Sequence, residues 1–211
     1  MNSRTEREEI AARLLDEHGL TFAGQLEISL EKNTPSVLFQ WWCASLLLSA
    51  RIQTSIAMRA ANALFARGWT TSRKLADSSW DDRVRVLNKA GYARYDERTA
   101  TMLGNGAERV LNEYRGDLRK LRARAARRPE DERKLLKEFK GIGDVGADIF
   151  CREIQIVWHE LYPFADAKAL QAAGALGLGT DVRQLATLVQ RVDFARLVAA
   201  LVRTGQRRNK G

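Results

Sequence analysis

Apolar residues recur at three- and four-residue intervals over most of this chain, and the alternation that marks half-buried strands is absent. Arg4 to His18 carries Ile10, Leu14 and Leu15 on one face and ends at Gly19, a C-terminal stop signal. Phe22 to Leu30 predicts a second, short helix. Thr34-Pro35 joins a capping hydroxyl to a proline at the first helical position, so a helix starts there with Val37, Leu38, Trp41, Leu46 and Leu47 as core. The adjacent Trp41 and Trp42 cannot share one face, which puts at least one of them near a surface or a lobe interface. Ser49 to Thr54 breaks the period, and Thr54 or Ser55 caps the next helix, Ile56 to Phe65. Trp80 to Leu87, capped by Ser78 or Ser79, and Tyr95 to Leu111 follow. The expected fold class is all-α.

The second half is organised around one stretch, Leu135 to Leu176. Leu135, Leu136 and Phe139 share a helix face, and Lys140-Gly141-Ile142-Gly143-Asp144 then interrupts the pattern. Two glycines around one aliphatic permit a tight turn. Asp144 can cap the following helix, on which Val145, Ile149, Ile156 and Val157 form an apolar stripe. Such a hairpin directs free N–H groups of Gly143 and its successors outward at a helix N-terminus, an anion site that needs no charged side chain. An ordinary turn between two core helices would have the same sequence, because a lone Gly-x-Gly is a weak signal. Asp166 precedes an alanine-rich helix as its cap, Gly177 and Gly179 make a turn, and helices run from Asp181 to Gln190 and from Asp193 to Arg203. GQRRNKG closes the chain as a frayed basic tail.

Charge narrows the range of partners. The 211 residues hold 35 lysines and arginines against 26 acidic residues, a formal +9, which favours a polyanion, although ribosomal and membrane-surface proteins share this balance. The most basic stretch, Arg115 to Arg128, has a narrow stripe of Leu118, Leu121 and Ala125 ringed by arginines; it reads either as a phosphate grip or as a solvated face. No apolar run reaches the ~20 residues that span a bilayer. MNSRTEREEI lacks the apolar core of a secretory signal, so a soluble, cytoplasmic protein is expected. Cys43 and Cys151 lie in apolar helical surroundings and read as buried thiols; with only His18 and His159 besides, no metal site is expected.

Three ordered blocks resemble the helix-hairpin-helix DNA glycosylase superfamily of endonuclease III. FKGIGDVGADIF with Asp166 about twenty residues on is similar to its hairpin and following aspartate. SVLFQWWCASLLLSARIQTSIAMRAANALF resembles its first barrel helices with a Ser-Ala-Gln/Asn-Arg-Thr element between them, and GYARYDERTATML resembles its Gly-Leu-Tyr segment. The resemblance covers most of residues 36–178. It implies two lobes: a helical barrel over 34–147, with the helix-hairpin-helix at 132–158, and a second lobe from 1–33 and 148–211, with double-stranded DNA carrying a lesion or mismatch in the cleft between them. It also implies a monomer associated with the bacterial nucleoid.

Site roles follow from the same resemblance. Arg51 matches the residue that enters the duplex where the target base was, though it could simply bind phosphate or solvent. Gln53, Lys140, Gly141, Gly143, Val145, Gly146 and Lys168 are the other expected DNA contacts, and Val145, Trp42 and Tyr95 are expected around the base pocket. Asp166 is the expected catalytic carboxylate: the helix start favours its negative charge, and a fixed carboxylate beside C1′ stabilises an oxocarbenium-like sugar and orients water. Bifunctional relatives carry a lysine where this chain has Val145, so hydrolysis without strand cleavage is expected, unless Lys168 substitutes as nucleophile. No cysteine follows Cys151, which rules out the endonuclease III iron–sulfur cluster. No other cofactor is implied beyond a monovalent cation at the hairpin carbonyls. The combination most resembles the methyl-CpG-linked thymine/uracil glycosylases. A glycosylase with lyase action and a non-catalytic helix-hairpin-helix DNA-binding module are the alternatives.

Overall fold

A computed structural model of the chain describes residues 3–208. Among them every regular element is helical, so the all-α expectation holds. The α-helices are α1 (Arg4–His18), α2 (Phe22–Gln25), α3 (Pro35–Ser49), α4 (Thr54–Ala66), α5 (Ser72–Ala76), α6 (Trp80–Lys89), α7 (Asp96–Tyr114), α8 (Arg119–Arg124), α9 (Pro129–Lys137), α10 (Asp144–Ile154), α11 (Ala167–Ala175), α12 (Val182–Ala186) and α13 (Phe194–Arg208). None is long and apolar enough to cross a membrane. The chain divides into two compact units, Leu26–Phe150 and the combination of Met1–Gln25 with Cys151–Gly211. The resemblance puts these limits at 34 and 147.

In Leu26–Phe150, α3 is the centre. Thr34 caps it through the Val37 N–H, and Pro35 opens it. Both Trp41 and Trp42 are fully buried, which removes the surface alternative of the expectation for them. Their opposite faces are both covered because α3 is enclosed on all sides, with Val37–Phe39 and Trp41–Leu47 buried throughout. The Trp41 indole N–H donates to the Phe150 carbonyl at 3.1 Å. The Trp42 ring stacks on Phe39 and leans on Phe139, and it presses so closely on α7 that a Cβ on Gly106 would lie 2.1 Å from it.

Helix α4 packs on α3, α6 on α4, and α5 and α6 on α7. The buried Arg83 of α6 joins the last three, donating to the carbonyls of Ser78 at 2.6 Å and Ala100 at 3.0 Å. A guanidinium out of water requires such acceptors, and here they tie the turn after α5 and the first half of α7 to one side chain. Helix α5 carries no period of its own in the sequence because it has only five residues. Of the basic stretch 115–128, only Arg119–Arg124 is helical; Leu118, Leu121 and Ala125 are buried as a narrow stripe, and Ala126 and Arg127 end it at φ 50° and 55°.

In the second unit, α1 and α11 pack on α13. Arg196 and Arg203 of α13 donate to the carbonyls of Gly19 and His18, closing the C-terminal end of α1. The expected helix from Phe22 to Leu30 is only α2 and a separate 3₁₀ turn at Leu30–Lys32. The N-terminal N–H groups of α2 are capped from far along the chain: those of Phe22 and Ala23 donate to the two oxygens of Glu153, each at 2.8 Å. Helix α13 runs on through Arg208, so the tail expected to fray is helical to that point; Asn209–Gly211 lie outside the described residues.

Candidate functional site

The hairpin between α9 and α10 hangs on two buried apolar residues, Phe139 and Ile142. Its two glycines serve different needs. Gly141 sits at φ +100°, a backbone conformation that strains any side chain, and a Cβ there would also displace the Met102 sulfur, 2.6 Å away. Gly143 has no left-handed φ, is exposed, and has nothing within 4 Å of where a Cβ would stand. Neither a left-handed φ nor a neighbouring atom calls for glycine at 143. Asp144 does not cap α10 as expected but is its first residue. Its exposed carboxylate accepts from Lys137 Nζ at 2.7 Å, and that bond holds it below the usual carboxylate range.

Two further expectations about α10 change. Its buried positions are Ala147, Phe150, Cys151 and Ile154, spaced i, i+3, i+4, i+7, with Ile149 at their margin. Val145 therefore faces out, 44 % exposed, and Ile156 and Val157 lie beyond the helix end. Gly146, expected as an external contact, is buried instead against Ile142 and Ser49. Lys140 is exposed beside the turn.

A cavity of about 380 Å³ opens within the same unit, lined among others by Ser49, Arg51, Tyr92, Tyr95, Arg98, Met102 and Gly141. Three stretches far apart in sequence meet there: the α3–α4 junction, the start of α7 with the turn before it, and the hairpin. Ser49 bridges two of them, its hydroxyl reaching the Gly141 carbonyl at 3.5 Å. Arg51 and Arg98 are exposed at this cavity, and the Arg94 guanidinium lies 5.3 Å over the Tyr95 ring. Tyr92 is buried with its hydroxyl donating to the Leu47 carbonyl; burial pushes its phenol up to about 12, so it remains a neutral donor. The walls thus combine an aromatic and a thioether surface with cationic donors, a set suited to a flat heteroaromatic ring with polar edges or to a phosphate. Gln53 is exposed at the cap position of α4 but makes no capping bond. Trp42, expected beside a pocket, is fully buried in the core and is not among the residues lining this cavity.

Asp166 belongs to the other unit. It caps α11, Oδ1 accepting from the Ala169 N–H at 2.9 Å, as its position before an alanine-rich helix predicts. Its other oxygen pairs with the Arg152 guanidinium, Nη2 to Oδ2 3.1 Å, and the two side chains are only 6 % and 4 % exposed. The bend before Asp166 is held by Gln155, whose amide donates to the Phe164 carbonyl and accepts from the Phe164 N–H, both at 2.9 Å. Lys168, two residues on, is exposed. Sequence reasoning singles out Asp166 and misses Arg152 and Gln155: both read as polar interruptions near a helix end, and no periodic or motif signal links them to a carboxylate eleven or more residues away.

Among the described residues no group of three or more histidine, cysteine, aspartate or glutamate side chains is arranged to hold a metal ion. Cys43 and Cys151 are buried free thiols, and burial drives the Cys43 thiol far above its ordinary value. Comparison with family models, with curated proteins and with solved structures finds no match for this chain.

Proposed function

We propose that the chain is a base-excision DNA glycosylase of the helix-hairpin-helix type, binding lesion-bearing or mismatched duplex and hydrolysing the N-glycosidic bond of one everted nucleotide. The observation that carries the reading is the convergence of all three resembling blocks on one cavity: Arg51 from the first, Tyr95 and Arg98 from the second, Gly141 from the third. Gly143 adds to it. An exposed glycine that neither backbone nor packing demands, at the N-terminus of α10, suits a phosphodiester drawn in by free N–H groups, a contact blind to base sequence.

In this reading Arg51 fills the gap left by the everted base, by stacking and hydrogen bonding, against a cost of about a few kcal/mol for unstacking. Asp166 is the catalytic carboxylate of this reading. It uses two of the roughly four acceptor positions of a carboxylate in its contacts with Ala169 and Arg152, and the rest remain for water or for the developing positive charge. Val145 has no amine to form a Schiff base, so the product is an intact strand with an abasic site.

One observation favours a second reading, a helix-hairpin-helix DNA-binding protein without catalysis. The Asp166 charge is already matched by Arg152, as in a purely structural buried pair. A panel of duplexes carrying uracil, thymine opposite guanine, an oxidised pyrimidine or an alkylated purine separates the two. The glycosylase reading expects strand breaks only after alkali, their loss in Asp166→Asn, and no borohydride-trapped adduct. Binding without any alkali-labile product supports the non-catalytic module, and a trapped adduct supports lyase action through another amine such as Lys168.

A further inference from the structure

Arg152 pairs directly with Asp166, and its charge also acts on the buried Glu153. The arginine side chain is 4 % exposed, its Nη2 lies 3.1 Å from Asp166 Oδ2, and its Nε is buried without an acceptor. A buried guanidinium needs an acceptor to offset its lost hydration, and the Asp166 carboxylate supplies one. What its placement achieves is to fix one carboxylate. The Ala169 N–H holds Oδ1 and Arg152 holds Oδ2, so both oxygens are tied and rotation of the carboxylate is stopped. The same short stretch of chain secures the approach to Asp166. The Gln155 amide clamps both backbone groups of Phe164, and it also donates to the carbonyl of Arg152 itself at 2.6 Å. The guanidinium also lies over the Phe22 ring, 5.8 Å from its centroid.

We infer that Arg152 is a positioning residue for the Asp166 carboxylate. It offsets the desolvation of a buried charge and locks the orientation in which that charge meets substrate, with Gln155 holding the backbone that carries it. Arg152 itself touches no reacting atom. The inference rests on the glycosylase reading proposed above.

The test is single-turnover base release under saturating protein, run beside equilibrium binding to a duplex with an abasic-site analogue and a thermal melt. Arg152→Gln is expected to slow release about 10- to 100-fold, since a misplaced catalytic group costs on this scale, while binding changes less than about twofold. Arg152→Lys should recover part of the loss. In an Asp166→Asn background the same Arg152→Gln change should cost nothing further, because it acts only through that carboxylate. A purely structural role would lower the melting temperature without this dependence on Asp166. Should Arg152→Gln not fold, Arg152→Lys and Gln155→Ala carry the same comparison. Release at the wild-type rate in folded Arg152 variants, or an equal loss with and without Asp166, overturns the inference and leaves the glycosylase reading standing. No release by the wild-type protein from any duplex of the panel overturns both.

Discussion

The hairpin and the Asp166 site are built on opposite plans. At the hairpin the potential ligand contacts are exposed: Gly143 borders open space, Val145 and Lys140 face outward, and the nearest carboxylate, Asp144, is drawn off by Lys137. At Asp166 everything is enclosed, with both oxygens occupied and an arginine buried beside them. Under the proposed function the difference has a physical reason. A phosphate held by backbone N–H groups must be able to arrive and leave, and the peptide skeleton already fixes the donors. A carboxylate that acts electrostatically needs a fixed position and little water, and a side chain holds position only if other groups pin it.

The comparison predicts unequal consequences of mutation, the largest at Asp166. Asp166→Ala removes a cap and strands the buried Arg152 charge, so it should cost about 3–5 kcal/mol in denaturant unfolding, where a typical surface change costs under about 0.5. In protein that remains folded, base release should fall by about 10²- to 10⁴-fold. A loss no larger than that of a surface substitution would make the enclosed site ordinary.

Gly141→Ala comes next. It forces a left-handed φ on alanine and pushes Cβ into Met102, so about 1–3 kcal/mol of stability should go. Gly143→Ala sharpens the contrast: stability should stay within about 0.5 kcal/mol, and duplex affinity should fall about tenfold through loss of one charge-assisted hydrogen bond. A drop in melting temperature equal to that of Gly141→Ala, with affinity intact, would make Gly143 a packing glycine.

The smallest effects are in pH dependence, and the two regions should differ in sign. Burial raises Glu153 above the ordinary glutamate value, against the pull of the Ala23 and Phe22 N–H groups. The folded state therefore holds this proton more tightly than the unfolded one. Its contribution is full below the ordinary value and is lost as pH rises toward the folded value. Asp144 is lowered by Lys137, so its contribution is present above the ordinary aspartate value and lost as pH falls through the folded one. Melts from about pH 3 to about pH 8 should show Glu153→Gln flattening the descent on the rising side and Asp144→Asn flattening only the acid limb.

The helical architecture and most helix starts were legible from the chain because they depend on neighbours three or four residues apart. Thr34-Pro35, Ser79 and Asp181 each cap the helix that local sequence assigns them, and Asp166 caps α11. The turn between α9 and α10 was legible for the same reason, although α10 begins at Asp144 and is not capped by it. The environments of side chains were not. Trp41 and Trp42 cannot share one face of a helix, and only the packing of Phe39, Phe139 and Gly106 around Trp42 shows how its side is covered.

The same limit holds within each of the two units. Local spacing determined that Asp166 begins a helix and that two glycines make a turn, since backbone geometry answers to adjacent residues. Tertiary structure alone decided that Arg152 guards that carboxylate, that Glu153 caps α2 from 130 residues away, and that Arg51, Tyr95 and Gly141 share one cavity. Burial and charge pairing depend on which surfaces meet, and that is a property of the packed chain, not of any stretch of it.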